Sequence, residues 1–261
     1  MLRKFPALLA VLSALLPISA RAAQAAPAQV PAPVPAGAVD ADATCVVGVG
    51  MVLAGPGSDP AFMGDRHDSA VSTIRAALAY FGAKVTLHYE GPALDPVMRN
   101  AYRAMPRSSA LREGARCLDE FSTVGPRFGD ELERALVAAG VPVDRSVTRT
   151  PADAATLDPD LACIAIILEM QRRVTRLGAD APPHAATLLE SGRAFFLARA
   201  MARLPAETRG TLFATALRSL RDDQQEQVYN RCRAQLGSEM RRLGESTRAI
   251  NPADAPPAPA H

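Results

Sequence analysis

Tryptophan is absent from this chain of 261 residues, aromatic residues make up only 5% of it, and lysine is rare beside arginine. A core with so few rings has to be aliphatic and alanine-rich, a composition that packs closely but buries little area per residue. Hydrophobic residues still reach 48%, enough for a core in the one or two domains this length accommodates. Cysteine is scarce as well: Cys45, Cys117, Cys163 and Cys232 stand far apart. Metal sites usually take cysteines two to four residues apart, and thioredoxin-type and c-type haem sites need CxxC and CxxCH; neither spacing occurs. The serine-hydrolase pattern GxSxG and the phosphate loop GxxxxGK[ST] are missing too. The stretch "GPGSDP" from Gly55 has two glycines and reads as a turn after the first helix. No cofactor is expected on these grounds.

Long apolar runs are confined to the amino terminus. Met1 to Lys4 is basic, and "FPALLAVLSALLPI" has the length of a signal-peptide core, too short to span a bilayer. "SARAAQA" supplies small-x-small cleavage sites, so residues 1–25 are expected to be removed, with Ala22 as the alternative cleavage point to Ala25. No cysteine for a lipid anchor lies nearby. No later run approaches the roughly 18 residues of a spanning helix; "LACIAIIL" from Leu161 is a turn or two of buried helix. The mature chain is therefore expected to be periplasmic or secreted, without a transmembrane segment. Losing Arg3, Lys4 and Arg21 moves the formal charge from +2 to −1. A near-neutral chain lacks the basic footprint of a nucleic-acid binder. Residues 26–43 are rich in proline and alanine and read as a tether, and 249–261 as a disordered tail.

What the chain does contain is written twice. "ARCLDEFSTVGPRFGDEL" from Ala115 and "NRCRAQLGSEMRRLGEST" from Asn230 both read Arg-Cys and then, ten residues after the cysteine, Arg, an apolar residue, Gly and an acid. The first cysteines, Cys45 and Cys163, are 118 apart, and the second, Cys117 and Cys232, are 115 apart. At the offset of 115, Tyr80-Phe81 falls on Phe195-Phe196, Lys84 on Arg199, Val97-Met98 on Leu212-Phe213, Met105 on Leu220 and Phe128 on Leu243. The reading is a duplicated unit of about 80 residues, too few copies for a solenoid. Copy one covers 44–139, a linker 140–158, and copy two 159–248.

Each copy reads as helices. Val71, Ile74, Leu78, Phe81 and Val85 step by three and four, with Asp68 as the expected N-cap. Asp95-Pro96 reads as a cap with proline in the first helical position, opening the stripe Val97, Met98, Ala101, Tyr102 and Met105. Val228, Cys232, Leu236, Met240 and Leu243 form another stripe. Pro126 is expected to kink or break the last helix of copy one. The fold class is all-α: two tandem, disulfide-closed small helical bundles of four helices each, packed side by side, loosely tethered or merged. Four cysteines allow three pairings, and the repeat selects Cys45–Cys117 and Cys163–Cys232. Each such bond is worth roughly 4 kcal/mol in the chain-entropy model.

Three landmarks recur in order: "TCVVGVGMVLAG", "LAYFGAKV" and "RCLDEF…GPRFG", then "LACIAIIL", "AFFLARAM" and "RCRAQL…MRRLG". This order resembles small exported two-cysteine all-helical proteins of alphaproteobacteria, here as a tandem duplication and with Lys84 in place of an expected Arg. The resemblance implies fold and export, and no activity.

Candidate chemistry is sparse. Asp65, His67 and Asp68 put two carboxylates and an imidazole within four residues, a set suited to a divalent metal or acid–base work; the plainer reading is a polar loop. His184 in "APPHAA" has no acid beside it, "HYE" at 88–90 reads as a loop, and His261 ends the tail. Arg172, Arg173 and Arg176, with Arg193, Arg199, Arg203, Arg241 and Arg242, are a solvated face or a basic patch for an anionic partner such as lipid headgroups or peptidoglycan carboxylates. Phe81 and Phe196 are candidates for the floor of an apolar groove. The expected function is an exported, non-catalytic binding or scaffolding protein of the cell envelope, its partner an envelope protein, lipid or peptidoglycan component. The alternative is an envelope enzyme, a metal-assisted hydrolase using Asp65, His67 and Asp68.

Overall fold

The computed structural model describes residues 40–138, 157–220 and 222–250. The expected signal peptide, residues 26–39 of the tether, nearly all of the linker, the tail from 251 and His261 lie outside the described residues. Among the described residues every regular element is helical, so the fold is all-α. The helices are α1 (Ala41–Ala54), α2 (Pro60–Met63), α3 (His67–His88), α4 (Leu94–Ala104), α5 (Arg107–Ala138), α6 (Pro159–Leu177), α7 (Ala185–Arg203), α8 (Ala206–Ser219) and α9 (Asp222–Ile250). Apart from the single-turn α2, each half of the chain has four.

Both halves begin with an aspartate cap. Asp40 Oδ1 accepts from the Ala43 amide at 2.8 Å at the start of α1. Asp158 Oδ1 accepts from the Asp160 and Leu161 amides at 3.0 Å each, with Pro159 in the first helical position of α6. The cysteines pair as the spacing implied. Cys45–Cys117 ties α1 to α5 and Cys163–Cys232 ties α6 to α9, with Cα separations of 5.5 and 5.6 Å.

The chain does not show two separately packed tandem bundles. The largest helix–helix interface is α3 on α7, across the halves. Its partners are rich in buried small residues: Ala76, Ala77, Ala79 and Ala83 on α3, and Gly192, Ala194 and Ala198 on α7. The halves also interlock. α4 packs on α1 of its own half and on α9 of the other, while α8 packs on α6 and on α5. Ser246 of α9 donates to Asp95 of α4 at 2.6 Å, and Arg209 of α8 donates to both oxygens of Glu131 of α5 at 2.8 and 3.0 Å. One hydrophobic core runs through both halves. The physical reason is area: an aliphatic unit of about 80 residues buries too little surface alone and gains by sharing its core.

Three local expectations are corrected. α5 runs unbroken through Pro126. Pro126 is exposed, so the carbonyl it leaves without a helical donor can meet water, and Gly125 before it has no Cβ to clash with the ring. α3 starts at His67, so Asp68 is a fully exposed first-turn acid rather than the cap. α4 starts at Leu94, which puts Asp95 and Pro96 inside its first turn, where a missing N–H costs nothing.

Candidate functional site

The Asp65, His67 and Asp68 cluster does not converge on a common point. His67 Nδ1 lies 3.1 Å from Asp68 Oδ1, Asp65 is exposed in the turn before, and no group of three His, Cys, Asp or Glu side chains among the described residues is placed to hold a metal. His88 ends α3, and Tyr89 turns back so that its hydroxyl donates to Asp40 Oδ2 at 3.0 Å. Phe81 and Phe196 are both 0% exposed, so neither floors a groove. Each instead meets its preceding ring edge-on. The Tyr80–Phe81 and Phe195–Phe196 centroids are both 5.1 Å apart, at interplanar angles of 85° and 87°. An apolar recess of about 300 Å³ lies elsewhere, against Val52, Pro56, Met63, Ala70, Ile74 and Leu118.

The charged groups fall into two kinds of site. The first is a pair of inward-facing staples that sequence reasoning missed. In the first half Lys84 Nζ donates to Asp42 Oδ1 at 2.5 Å, while lying 5.7 Å from the ring centres of both Tyr80 and Phe81. In the second half Arg199 Nε donates to Asp160 Oδ1 at 3.0 Å, and its guanidinium carbon Cζ lies 5.7 Å from the centre of the Phe195 ring. Arg203 adds bonds to Asp160 Oδ2 at 2.9 and 2.5 Å and to Asp158 Oδ2 at 3.0 Å. The available signal was the first-cysteine offset: 118 carries Asp40 to Asp158 and Asp42 to Asp160. Burial of Tyr80, then the nearby carboxylates of Asp42 and Glu120, pushes its phenol up to about 12. Burial and the bond to Asp40 raise Tyr89 in the same direction. Arg203 is also raised: burial works against its charge, but Asp160 and Asp158 outweigh it.

The second kind of site is the outward-facing end of α6 and the turn into α7. The eight arginines of the sequence reading do not gather here. Arg199 and Arg203 turn inward. Arg242 lies 2.8 Å from Glu239 on its own helix and reaches the Thr86 carbonyl at 3.5 Å. Arg241 is exposed on α9. What remains at the α6 end is Arg172, Arg173 and Arg176, all exposed. Arg172 and Arg173 share Glu169 at 3.6 and 3.3 Å, and Arg173 also donates to Gln225 at 2.6 Å. Arg176 makes no ion pair among the described residues. Arg193 is exposed on α7.

The turn itself is built by backbone chemistry. Gly178 ends α6 at φ 55°, a left-handed conformation that suits glycine. Pro182 and Pro183 follow. His184 then enters α7 at φ 65°, the one non-glycine with positive φ among the described residues, and no side chain caps that helix. Leu177 and Leu188 flank the turn with 47% and 43% of their surface exposed. The result is an apolar, arginine-flanked tip on the second half. No protein-family model, curated protein or solved structure matches the chain.

Proposed function

We propose that the chain is an exported, non-catalytic binding or scaffolding protein of the cell envelope, periplasmic or secreted after cleavage near Ala25. In this reading it arose by duplication of a two-cysteine helical unit like those of the exported alphaproteobacterial proteins it resembles. The carrying observation is the pair of disulfides, one in each half and each tying the half's first helix to its last. Such bonds persist in oxidising compartments, and an amino terminus with signal-peptide features fits that destination. Two further observations support a non-catalytic role. The charges buried among the described residues are paired between helices, and Asp65, His67 and Asp68 do not converge on a common point there. A duplicated unit also has a binding rationale, since two weak sites on one chain engage a repetitive surface with avidity.

The test is to express the full chain in a bacterium, separate the compartments and map the protein by non-reducing digestion and mass spectrometry. The expected product is a mature chain beginning at Ala26, or at Ala23 for the alternative site, in the periplasm or medium with both disulfides intact. A full-length cytoplasmic chain with free thiols would overturn the reading.

A further inference from the structure

We infer that Asp95, Glu131, Arg209 and Ser246 choose the partner of each half: the face built by α3, α4 and α5 accepts the chain's other half and rejects a copy of itself. That choice holds whether or not the chain is exported. The largest interface cannot make it. At the offset of 115, Ala77, Ala79 and Ala83 of α3 fall on Gly192, Ala194 and Ala198 of α7, and all six are buried. Two small apolar faces so alike would also suit two identical halves meeting about a two-fold axis. The polar contacts beside them differ. At the same offset Glu131 of α5 falls on Ser246 of α9, and Leu94-Asp95 of α4 on Arg209-Gly210 of α8. Ser246 donates to Asp95 at 2.6 Å, and Arg209 to Glu131 at 2.8 and 3.0 Å. The two bonds thus stand at matching places, within one residue, with donor and acceptor exchanged. Paired with its own kind, the first half would bring Asp95 against Glu131, carboxylate to carboxylate. The second half would bring Arg209, whose side chain is 10% exposed, against Ser246, with no acid to balance a buried guanidinium. Glu245 is not placed to replace Glu131, since Asp130 at its matching position is exposed and takes no part in the Arg209 pair. Arg99, Arg127 and Arg134, within four residues of the two acids, are exposed and make no ion pair among the described residues. The Ser72–Glu190 bond does not discriminate, because Arg75 can donate to Ser72, and Thr187 to Glu190, in the like pairs.

The full chain, with both disulfides kept, is unfolded in urea and refolded by dilution at low and high protein concentration. Size-exclusion chromatography with light scattering then gives the ratio of dimer to monomer. Glu131→Arg/Arg209→Glu rebuilds the ion pair inside one chain. It also gives Asp95 a cation to meet in a first-half pair and sets an acid opposite Ser246 in a second-half pair, so two copies can join through like halves. The ratio is expected to rise about a hundredfold over the wild type. Glu131→Gln/Arg209→Gln leaves amides that pair either way and is expected to raise it about tenfold; this variant carries the test where the charge exchange does not fold. Ser246→Ala weakens the pairing of unlike halves but keeps both penalties, and is expected to hold the wild-type ratio. Circular dichroism and intact disulfides confirm that each variant is folded. Exchange variants that hold the wild-type ratio would overturn the inference. So would a Ser246→Ala chain that dimerises as far as they do, because a loosened contact would then be enough.

Discussion

The two halves solve one mechanical problem with different chemistry. Each must hold the start of its first helix, α1 or α6, against the end of α3 or α7. The first half uses Asp40 and Asp42 with Tyr89 and Lys84; the second uses Asp158 and Asp160 with Arg203 and Arg199. The side chain of Asp42 is 22% exposed and that of its lysine 26%, so both retain contact with water. The side chain of Asp160 is 1% exposed and is held by two guanidinium groups. Planar, multiply donating arginine can satisfy a carboxylate out of water in a way that a point-charge ammonium does less well. The deeper carboxylate therefore goes with the arginines, and the half that keeps lysine leaves its inward-facing pair in partial contact with water.

Breaking the staples is the sharpest way to separate the halves. Asp160→Ala leaves Arg199 and Arg203 facing a void and is expected to cost about 3 kcal/mol. That is the lower end for removing one partner of a buried pair, because the Arg203 side chain is 35% exposed and can rehydrate. Asp42→Ala is expected to cost about 1 kcal/mol or less, since a half-wet ion pair contributes little. Urea titrations of the two variants at neutral pH check this. Equal losses would mean that burial does not distinguish the staples.

Titration gives the second contrast. Tyr80 in the first half has Phe195 as its counterpart, so only the first half carries a buried phenol beside Phe81. Its folded value of about 12 lies above the unfolded value of 10. The stability it contributes is therefore complete below pH 10 and is lost as the pH rises from 10 to 12. The loss is about 2 kcal/mol, from roughly 1.4 kcal/mol per unit with allowance for residual hydration. Tyr89, raised by burial and Asp40, adds in the same direction. Tyr80→Phe keeps the ring and removes the proton, so its stability curve is expected to stay flatter over that window. Denaturant unfolding at pH 9, 10, 11 and 12 measures the difference.

Much of the fold was legible because helices have a short period and cysteines leave a fixed spacing. The stripe from Ile74 to Val85 lies in the core, and the offsets of 118 and 115 selected the disulfides that the structure contains. The interlocking of the halves was not legible. The stripe of Val97, Met98 and Ala101 tells that α4 has an apolar face, but no local signal says that α9 of the other half covers part of it. The inward arginines were misread for a related reason. Arg199 and Arg203 look like surface charge until Asp160 is placed opposite them, and Asp160 lies about 40 residues away in sequence. The α6–α7 turn was half legible: Arg172, Arg173 and Arg176 stood out, whereas the exposure of Leu177 and Leu188 depends on where neighbouring helices end.

The smallest contrast concerns how closely helices approach. In the first half α1 and α5 meet through glycines. A Cβ on Gly48 would lie 2.9 Å from the Gly114 nitrogen, and one on Gly114 would lie 2.6 Å from the Gly48 carbonyl oxygen. The positions that the two offsets give in the second half are Ile166 and Tyr229, and there α6 and α9 share a much smaller interface. Two glycines on the same helix separate packing from propensity. Gly50, two residues on, has nothing within 4 Å of its hypothetical Cβ, so Gly50→Ala gains helix propensity and is expected to stabilise by about 0.5–1 kcal/mol. Gly48→Ala gains the same propensity but forces backbone against backbone, where no side chain can swing aside. Overpacking typically costs 1–3 kcal/mol, so the net expectation is a loss of about 1 kcal/mol. The melting temperatures of the two variants should therefore move in opposite directions. If both rise, the α1–α5 approach is loose enough to absorb a methyl group, and glycine there reflects composition rather than packing.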